Sequence, residues 1–411
     1  MTDRPHIAIL GAGPVGLDAA IAAAAGGHSF TVYEVGSQVA DNVRSWGHVQ
    51  VFTPWSMNVS PRMRAALAAH GSEPPKGEEC PTGAELVEKV FEPVAALPEI
   101  APHLRLGHRV LEVGREGLLK NEEIGTGRRS NRPFRLLLRT DAGERIESAD
   151  IVLDCTGTYH NPNALGSGGI RAPGEADAEE WIIRRIPNFE APKLNADSPG
   201  WAGQRILLVG AGHSAQTAAM DLEALLARVP STRVVWAIRS EAPTFGAIEN
   251  DGLPARASLV AHATRLAGSD SPFDVRLGRS VEALRPSPDG IVATLGTPAG
   301  KLEEVTVDWI LSLTGSVGDA RIYRQLQVHE CYATSGPMNL AAALLSASSA
   351  DCLTQVSPGA DTLKNPEPGF FIVGSKSYGR NTTFLLRVGW EQVDQVFSLI
   401  RDAIAPAGTL S

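Results

Sequence analysis

Followed by its apolar and polar positions, the chain opens with a short unbroken apolar run at residues 6–10, the pattern of a strand buried on both faces. A glycine-rich turn, an alanine-rich helical stretch ending at Gly26-Gly27, and a second β-rich run at residues 30–33 follow, closed by Glu34. The same succession returns in mid-chain. Residues 206–209 are apolar, residues 210–215 form a turn before a helical stretch, and residues 234–238 are β-rich and closed by Arg239 and Ser240. Residues 384–403 carry apolar side chains at helical spacing and predict a helix packed on a sheet. Elsewhere the periodicity fails. SWGHVQVFTPWSMNVSP (residues 45–61) holds two tryptophans but no clean period, and it ends on a Ser-Pro turn signal. Residues 115–134 are polar and predict a solvated tip between strands. Residues 160–200, rich in Pro, Gly, Asn and Asp, predict a linker, and residues 244–259 predict a long loop of lid-like length.

Composition narrows the classes. The chain has 411 residues, 43% hydrophobic and 20% charged, an ordinary globular balance with room for two or three domains. A formal net charge of −9 argues against a nucleic-acid partner or an anionic membrane surface. The four cysteines (Cys80, Cys155, Cys331, Cys352) form no C-x-x-C, so a disulfide framework, a zinc knuckle and a redox-active dithiol are not expected. No stretch approaches ~18 unbroken apolar residues and no secretory leader is evident, so the expectation is a cytoplasmic protein.

The two turns carry the chemistry. HIAILGAGPVGLDAAIAAAAGGHSFTVYE sets Gly11, Gly13 and Gly16 as G-x-G-x-x-G between strand and helix, with Pro14 opening the helix. The first glycine permits the tight turn, the second lets a pyrophosphate approach the backbone, and the third lets helix pack on strand. The helix N-terminus adds free N–H groups and a partial positive charge. Glu34 can accept hydrogen bonds from a ribose and would repel a 2′-phosphate. QRILLVGAGHSAQTAAMDLEALLARVPSTRVVWAIRS repeats the plan with Gly210, Gly212, His213, Ser214 and Ala215, but closes on Arg239. A guanidinium binds a 2′-phosphate bidentately, each charged hydrogen bond contributing about 1.5–3 kcal/mol. Two such sites suit a resident FAD in the first and a visiting NADPH in the second, which delivers hydride to the isoalloxazine.

Four further segments extend this picture: DIVLDCTGTYHNP with Thr156 and Gly157, VDWILSLTGSVGD with Thr314 and Gly315, GFFIVGSKSYGRNTTFLLRVGWEQV with Gly374, Lys376 and Tyr378, and MNVSPRMRAAL with Asn58. Through them the chain resembles, over nearly its whole length, the two-dinucleotide-binding-domain flavoproteins, and among these the flavin-containing monooxygenase group. The resemblance implies an α/β fold of two Rossmann-like, three-layer dinucleotide-binding domains, the NADPH domain inserted into a discontinuous FAD domain. The implied boundaries are 1–165 and 311–411 for the FAD domain, 166–199 for a linker and 200–310 for the NADPH domain. It also implies that Asn58 faces the reactive flavin ring and that residues 369–393 run along the ribityl chain and pyrophosphate. Two positions depart from the family. Ser375 stands where these flavoproteins commonly carry aspartate, and no histidine lies between His160 and His213, where the monooxygenase fingerprint needs one after Phe189.

In this frame Trp46, His48, Phe52, Trp55 and Asn58 are expected around the isoalloxazine, excluding water. Asn58 is the leading catalytic candidate and His48 a candidate acid or base. Lys376, Tyr378 and Arg380 are expected to face flavin or an anionic substrate, and Asn250, Asp251 and Arg256 to touch NADPH or substrate, while Asn381 or Thr382 is expected to cap the last helix. Three functions remain open. The first is an NADPH-dependent flavin monooxygenase, oxygenating a small organic substrate with molecular oxygen through a flavin C4a-hydroperoxide. The second is a reductase or dehydrogenase passing electrons to an organic or protein acceptor, and the third an FAD-binding protein without turnover. The expected partners are a small molecule and, with room for it, a second copy in a homodimer.

Overall fold

The computed structural model describes residues 4–190, 200–346, 353 and 357–404. The chain divides into two compact units, Met1–Asn161 with Val317–Ser411, and Pro162–Ser316. Each is a Rossmann-like α/β unit, as the repeated pattern predicts, and the second is inserted into the first, as the resemblance implies.

The outer unit is built on a five-stranded sheet. Its strands are β1 (Ile7–Leu10), β2 (Phe30–Tyr33), β3 (Leu104–Arg105), β7 (Ile151–Asp154) and β16 (Phe370–Ile372), in the order β16-β7-β1-β2-β3, all pairs parallel. Alternate residues of each strand feed different layers. Ile7, Ile9, Val32, Leu153 and Phe371 join the core that holds helices α1 (Pro14–Ala25) and α2 (Pro61–Ala69). Ala8, Leu10, Tyr33, Val152 and Phe370 pack on an antiparallel meander, β4 (Arg109–Arg115), β5 (Phe134–Thr140) and β6 (Gly143–Ala149), through Val113, Phe134, Leu136 and Leu138. Each such fully buried large side chain stabilises the fold by about 1.5–3 kcal/mol.

The inserted unit repeats the plan. Strands β9 (Arg205–Val209), β10 (Arg233–Ile238), β11 (Asp274–Leu277), β15 (Trp309–Ser312) and β8 (Ile182–Ile183) pair in parallel in the order β11-β10-β9-β15-β8. Leu207, Val209 and Ile310 pack on its own meander, β12 (Ser280–Ser287), β13 (Gly290–Gly296) and β14 (Leu302–Val307). Helices α3 (His213–Arg228) and α4 (Pro254–Leu266) complete the unit. The C-terminal helix α5 (Leu386–Ile404) returns to the outer unit. It buries the stripe Val393, Val396, Phe397 and Ile400, and Gly389 abuts Val15 of α1.

Both boundaries of the insertion change. Residues 311–316, expected in the FAD domain, belong to the inserted unit, where Leu311 and Ser312 pair with β9. Residues 162–190, expected as linker, belong to the inserted unit, where Ala172, Ala178 and Ile182 enter the core. The buried carboxylate of Glu175 replaces regular ladder bonds there, accepting from the N–H groups of Leu165 and Ala172. The rest of that expected linker, 191–199, lies outside the described residues, as does Cys352. The 115–134 tip is exposed over most of its length, as expected, and is also anchored from beneath. Arg115 and Arg129 are both buried on Glu367 at 2.8 and 2.7 Å, and this carboxylate also accepts from the Gln327 N–H. Among the described residues no helix is long and apolar enough to cross a membrane, and no group of three or more His, Cys, Asp or Glu side chains is placed to hold a metal.

Candidate functional site

In each unit the chain leaves the first strand through a glycine turn at the carboxyl edge of the parallel sheet, where the strand order reverses direction and ligands of open α/β sheets bind. In the outer unit Gly11 has φ +98°, a value that favours glycine, and a Cβ would stand 2.9 Å from the Cys155 carbonyl oxygen. A Cβ on Gly16 would run into the Gly11 carbonyl, so this glycine sets how closely α1 lies on β1. Gly13 differs from both. It caps α1 at an ordinary φ of −79°, and a Cβ built on it meets nothing within 4 Å. Pro14 follows at the first helical position, where an N–H would have no helical acceptor. The first turn of α1 is therefore open on the side from which an anion would approach its N–H groups.

Glu34 is pinned beside this opening. It is 7% exposed, and its two oxygens accept from the N–H groups of Ala12 at 2.7 Å and Gly36 at 2.8 Å. Each oxygen keeps a lone pair for a further donor. On the other side of β1, β7 runs out into Asp154, Cys155, Thr156 and Gly157. Gly157 has φ +66°, and a Cβ on it would meet only the Ser375 hydroxyl, at 3.6 Å. The turn after β16 is fixed from α5, since Gln392 accepts from the Gly374 N–H at 2.7 Å and donates to Ser377 Oγ at 2.9 Å. Gln392 is buried and carried no signal in the sequence beyond its place in an amphipathic helix.

Several residues expected at the flavin ring hold protein groups instead. Asn58 is buried, and its amide nitrogen donates to the Thr53 and Pro54 carbonyls at 2.7 and 2.9 Å while its oxygen accepts from Thr53 Oγ1 at 3.0 Å. The side chain thus clamps the loop from which it springs. Trp55 is a core residue beside Val59 and Met63, with the Lys89 ammonium 5.7 Å from its ring centroid. Trp46 packs on Gly83, stacks on Tyr159 at 6.3 Å, and buries an indole N–H without a partner among the described residues. His48 is exposed and Phe52 half-buried. Lys376 is turned inward, its ammonium 2.6 Å from Asp154 and 3.1 Å from Thr156 Oγ1. Tyr378 lies in the core against Phe384, and burial pushes its phenol up to about 12. Arg380 is exposed. Asn381 accepts from the Thr383 N–H and hydroxyl, an Asx turn that ends before α5 begins, so neither it nor Thr382 caps that helix. Burial raises the Cys155 thiol well above its usual range.

The inserted unit reproduces the turn. Gly210 has φ +129° and faces the Leu313 carbonyl, and Ala215, in place of a third glycine, is buried 3.5 Å from the Cβ position of Gly210. Gly212 caps α3, and a Cβ on it would again meet nothing within 4 Å. Two residues missed in the sequence brace this turn: Trp236 Nε1 donates to the Gly210 carbonyl at 2.8 Å, and Gln216 Nε2 to the Ala211 carbonyl at 2.9 Å. His213 and Ser214 open α3, and burial lowers the His213 pKa, with Arg256 adding to the effect. Arg256 lies on α4, which begins at Pro254 and so shortens the loop expected over 244–259, and it is buried on Asp251 at 2.6 Å, while Asn250 adopts a left-handed φ of 54° in the remaining loop. Thr314 and Gly315 leave β15 as Thr156 and Gly157 leave β7, with Thr314 tied to Asn163.

The register sharpens the difference between the two sites. Gly11 donates its N–H to the Tyr33 carbonyl and Gly210 to the Ala237 carbonyl, so Ile238 stands at the level of Glu34. Arg239 is one residue further out, exposed and without an ion pair among the described residues. The inserted unit thus has Ile238 where the outer one has Glu34, with an exposed guanidinium one residue further along.

No family model matches the chain, and no curated protein matches it. Solved structures do. The bacillithiol disulfide reductase Bdr (YpdA) from Bacillus cereus is 16% identical with a TM-score of 0.70, covering 97% of this chain and 99% of that one. The ornithine N-hydroxylase KtzI of Kutzneria sp. 744, with reduced FAD, NADP+ and L-ornithine, is 12% identical with a TM-score of 0.64, covering 97% and 99%. A flavin-containing monooxygenase from Stenotrophomonas maltophilia is 15% identical with a TM-score of 0.56, covering 98% and 100%. At these identities the likeness establishes the fold.

Proposed function

We propose that the protein is an FAD-containing, NADPH-dependent oxidoreductase, with FAD held by the outer unit and NADPH received by the inserted one. The observation that carries this reading is the pair of caps, Gly13 and Gly212. Each sits at a helix N-terminus with open space where a side chain would stand, while the glycines before them are closed in by neighbouring backbone. The residues present fit the two groups. Glu34 offers acceptor lone pairs to ribose hydroxyls beside the first cap, and Arg239 offers donors to a 2′-phosphate beyond the second. When bound, FAD would accept a hydride from the nicotinamide and pass the electrons on. This chain's residues would bind, orient and exclude water. The solved proteins of the same fold named above, one of them with FAD and NADP+, support this assignment.

At a finer level we propose oxygenation of a small organic substrate, because the segments carrying Asn58, Thr156, Gly157, Thr314, Gly315 and Gly374 resemble those of the flavin-containing monooxygenase group. One observation favours a reductase instead: the histidine of the monooxygenase fingerprint is missing between His160 and His213. A single experiment separates them. Purified protein loaded with FAD is reduced anaerobically with NADPH and then mixed with isotopically labelled oxygen and candidate substrates. Label in the organic product indicates a monooxygenase, and stoichiometric peroxide without labelled product a reductase. Failure of NADPH to bleach the flavin band would overturn the whole assignment. Arg239→Ala is expected to raise KM for NADPH by on the order of tenfold or more, with little change for NADH, because only the former loses charged hydrogen bonds.

A further inference from the structure

Lys376 and Asp154 form an ion pair that is almost completely sealed from water, with side chains 1% and 0% exposed. Burying two charges is costly, and such a pair gives little net stability over a well-packed apolar one. The surroundings show what it does instead. Asp154 ends β7, and its Oδ1 accepts from the Thr156 N–H at 3.1 Å and the Thr156 hydroxyl at 2.7 Å, which shapes the Thr156–Gly157 turn. Its Oδ2 takes the Lys376 ammonium at 2.6 Å. Lys376 belongs to the next strand exit, in the Gly374–Tyr378 turn after β16. Its remaining N–H groups face Thr156 Oγ1 at 3.1 Å and the ring of Tyr323, whose centroid is 5.0 Å away. Gly318, where the chain re-enters the outer unit, leaves the space that the lysine stem occupies, since a Cβ there would strike its Cγ. The Lys376 ammonium therefore joins two turns, reaching Asp154 and Thr156 Oγ1 across the gap where Gly157 faces Ser375.

We infer that Asp154 and Lys376 are positioning residues: together they clamp the Thr156–Gly157 turn to the Gly374–Ser375 turn and so fix the mouth of the outer glycine cradle for the flavin nucleotide. The inserted unit holds an analogous arrangement. There Arg184 follows the edge strand β8 and reaches the Asn163 carbonyl, and Asn163 in turn donates to the Thr314 carbonyl at 3.0 Å and accepts from its hydroxyl at 3.3 Å. A basic residue placed after the edge strand thus steadies the Thr-Gly turn in both units. The inference rests on the proposed binding of FAD to the outer unit.

The test compares wild type, Lys376→Met, Asp154→Asn and the double variant. Two quantities are measured: the FAD dissociation constant, from titration of the apoprotein, and backbone hydrogen exchange in the apoprotein. Each single variant is expected to raise the dissociation constant by on the order of tenfold or more, and to speed exchange in both turns together. The double variant, free of buried charge, is expected to recover thermal stability without recovering FAD affinity. A double variant that binds FAD like wild type would reduce the pair to a structural contact and overturn the inference, as would faster exchange in one turn only. Should the single variants fail to fold, Thr156→Val keeps the ion pair and removes one leg of the clamp. It is expected to weaken FAD several-fold, and unchanged binding would again overturn the inference. Wild type that takes up no FAD would remove the proposed function itself, and the clamp with it.

Discussion

Asp221 lies on α3, where burial, and after it the nearby charge of Glu190, raises its carboxyl from 3.8 to about 6. The fold therefore holds a proton that the unfolded chain releases near pH 4. The contribution of this one group to stability should be full below that point, fall as pH rises from about 4 to 6, and level off above, against the opposite slope of the depressed carboxylates Asp251, Asp308 and Asp319. Each pKa unit corresponds to about 1.4 kcal/mol. Asp221→Asn is expected to remove this contribution, so that stability relative to wild type rises between pH 4 and 6 in thermal melts, and a difference that does not vary with pH would refute the assignment. Asn58 supplies a second test. Its loss to alanine strands the Thr53 and Pro54 carbonyls, at a penalty of about 1–3 kcal/mol each when buried. A urea melt should show it. Flavin reduction by NADPH should change no more than the lost stability accounts for, because both amide protons serve the loop.

At the level of elements, the glycine turns divide by what surrounds them. Gly13→Ala and Gly212→Ala should fold with near wild-type melting temperatures, since an added methyl finds open space, yet each should weaken its own nucleotide by obstructing the approach to the helix. Gly11→Ala and Gly210→Ala should instead destabilise the protein, through a left-handed backbone and collision with a neighbouring carbonyl. Parallel melts and FAD or NADPH titrations would check this, and equal stability losses in all four would refute it. These turns are legible in the sequence because strand, glycines, helix and closing residue follow one another along the chain. The Asp154–Lys376 pair and the Arg115–Glu367–Arg129 cluster are not, because their members stand 222 to 252 residues apart and meet only once the sheet has formed. The same limit explains Lys376, which looks like a ligand when read alone because its acid stands 222 residues away. Asn58 differs, since it turns back on residues only four and five positions earlier, in an irregular loop with no period to announce the fold-back. The offset of Arg239 is hidden too, since strand register, and not sequence, puts Ile238 level with Glu34 and Arg239 one residue beyond it.

For the whole molecule, the insertion point matters most. The Val317 N–H donates to the Asn161 carbonyl at 3.1 Å in the outer unit, while Pro162 and Ser316 bridge in the inserted one. The chain leaves and returns at one place. Replacing 162–316 by a short glycine-rich link should therefore yield an outer unit that folds and takes up FAD but is not bleached by NADPH. Residues 162–316 expressed alone should bind NADPH. Absence of folding in both pieces would show that the units are not separable.

This arrangement also bears on the order of assembly. Strand β16 and helix α5 have to find a sheet whose other strands were synthesised long before, across the full length of the insertion. If that insertion is still a coil, bringing its ends together carries a heavy entropic penalty, growing by about 0.6 kcal/mol with each doubling of the span. Once the inner unit has collapsed, its ends already touch, and the outer sheet is left with the closure of a hairpin-sized gap. A substitution that unsettles only the inner unit should then slow the refolding of the outer one without lowering its final stability.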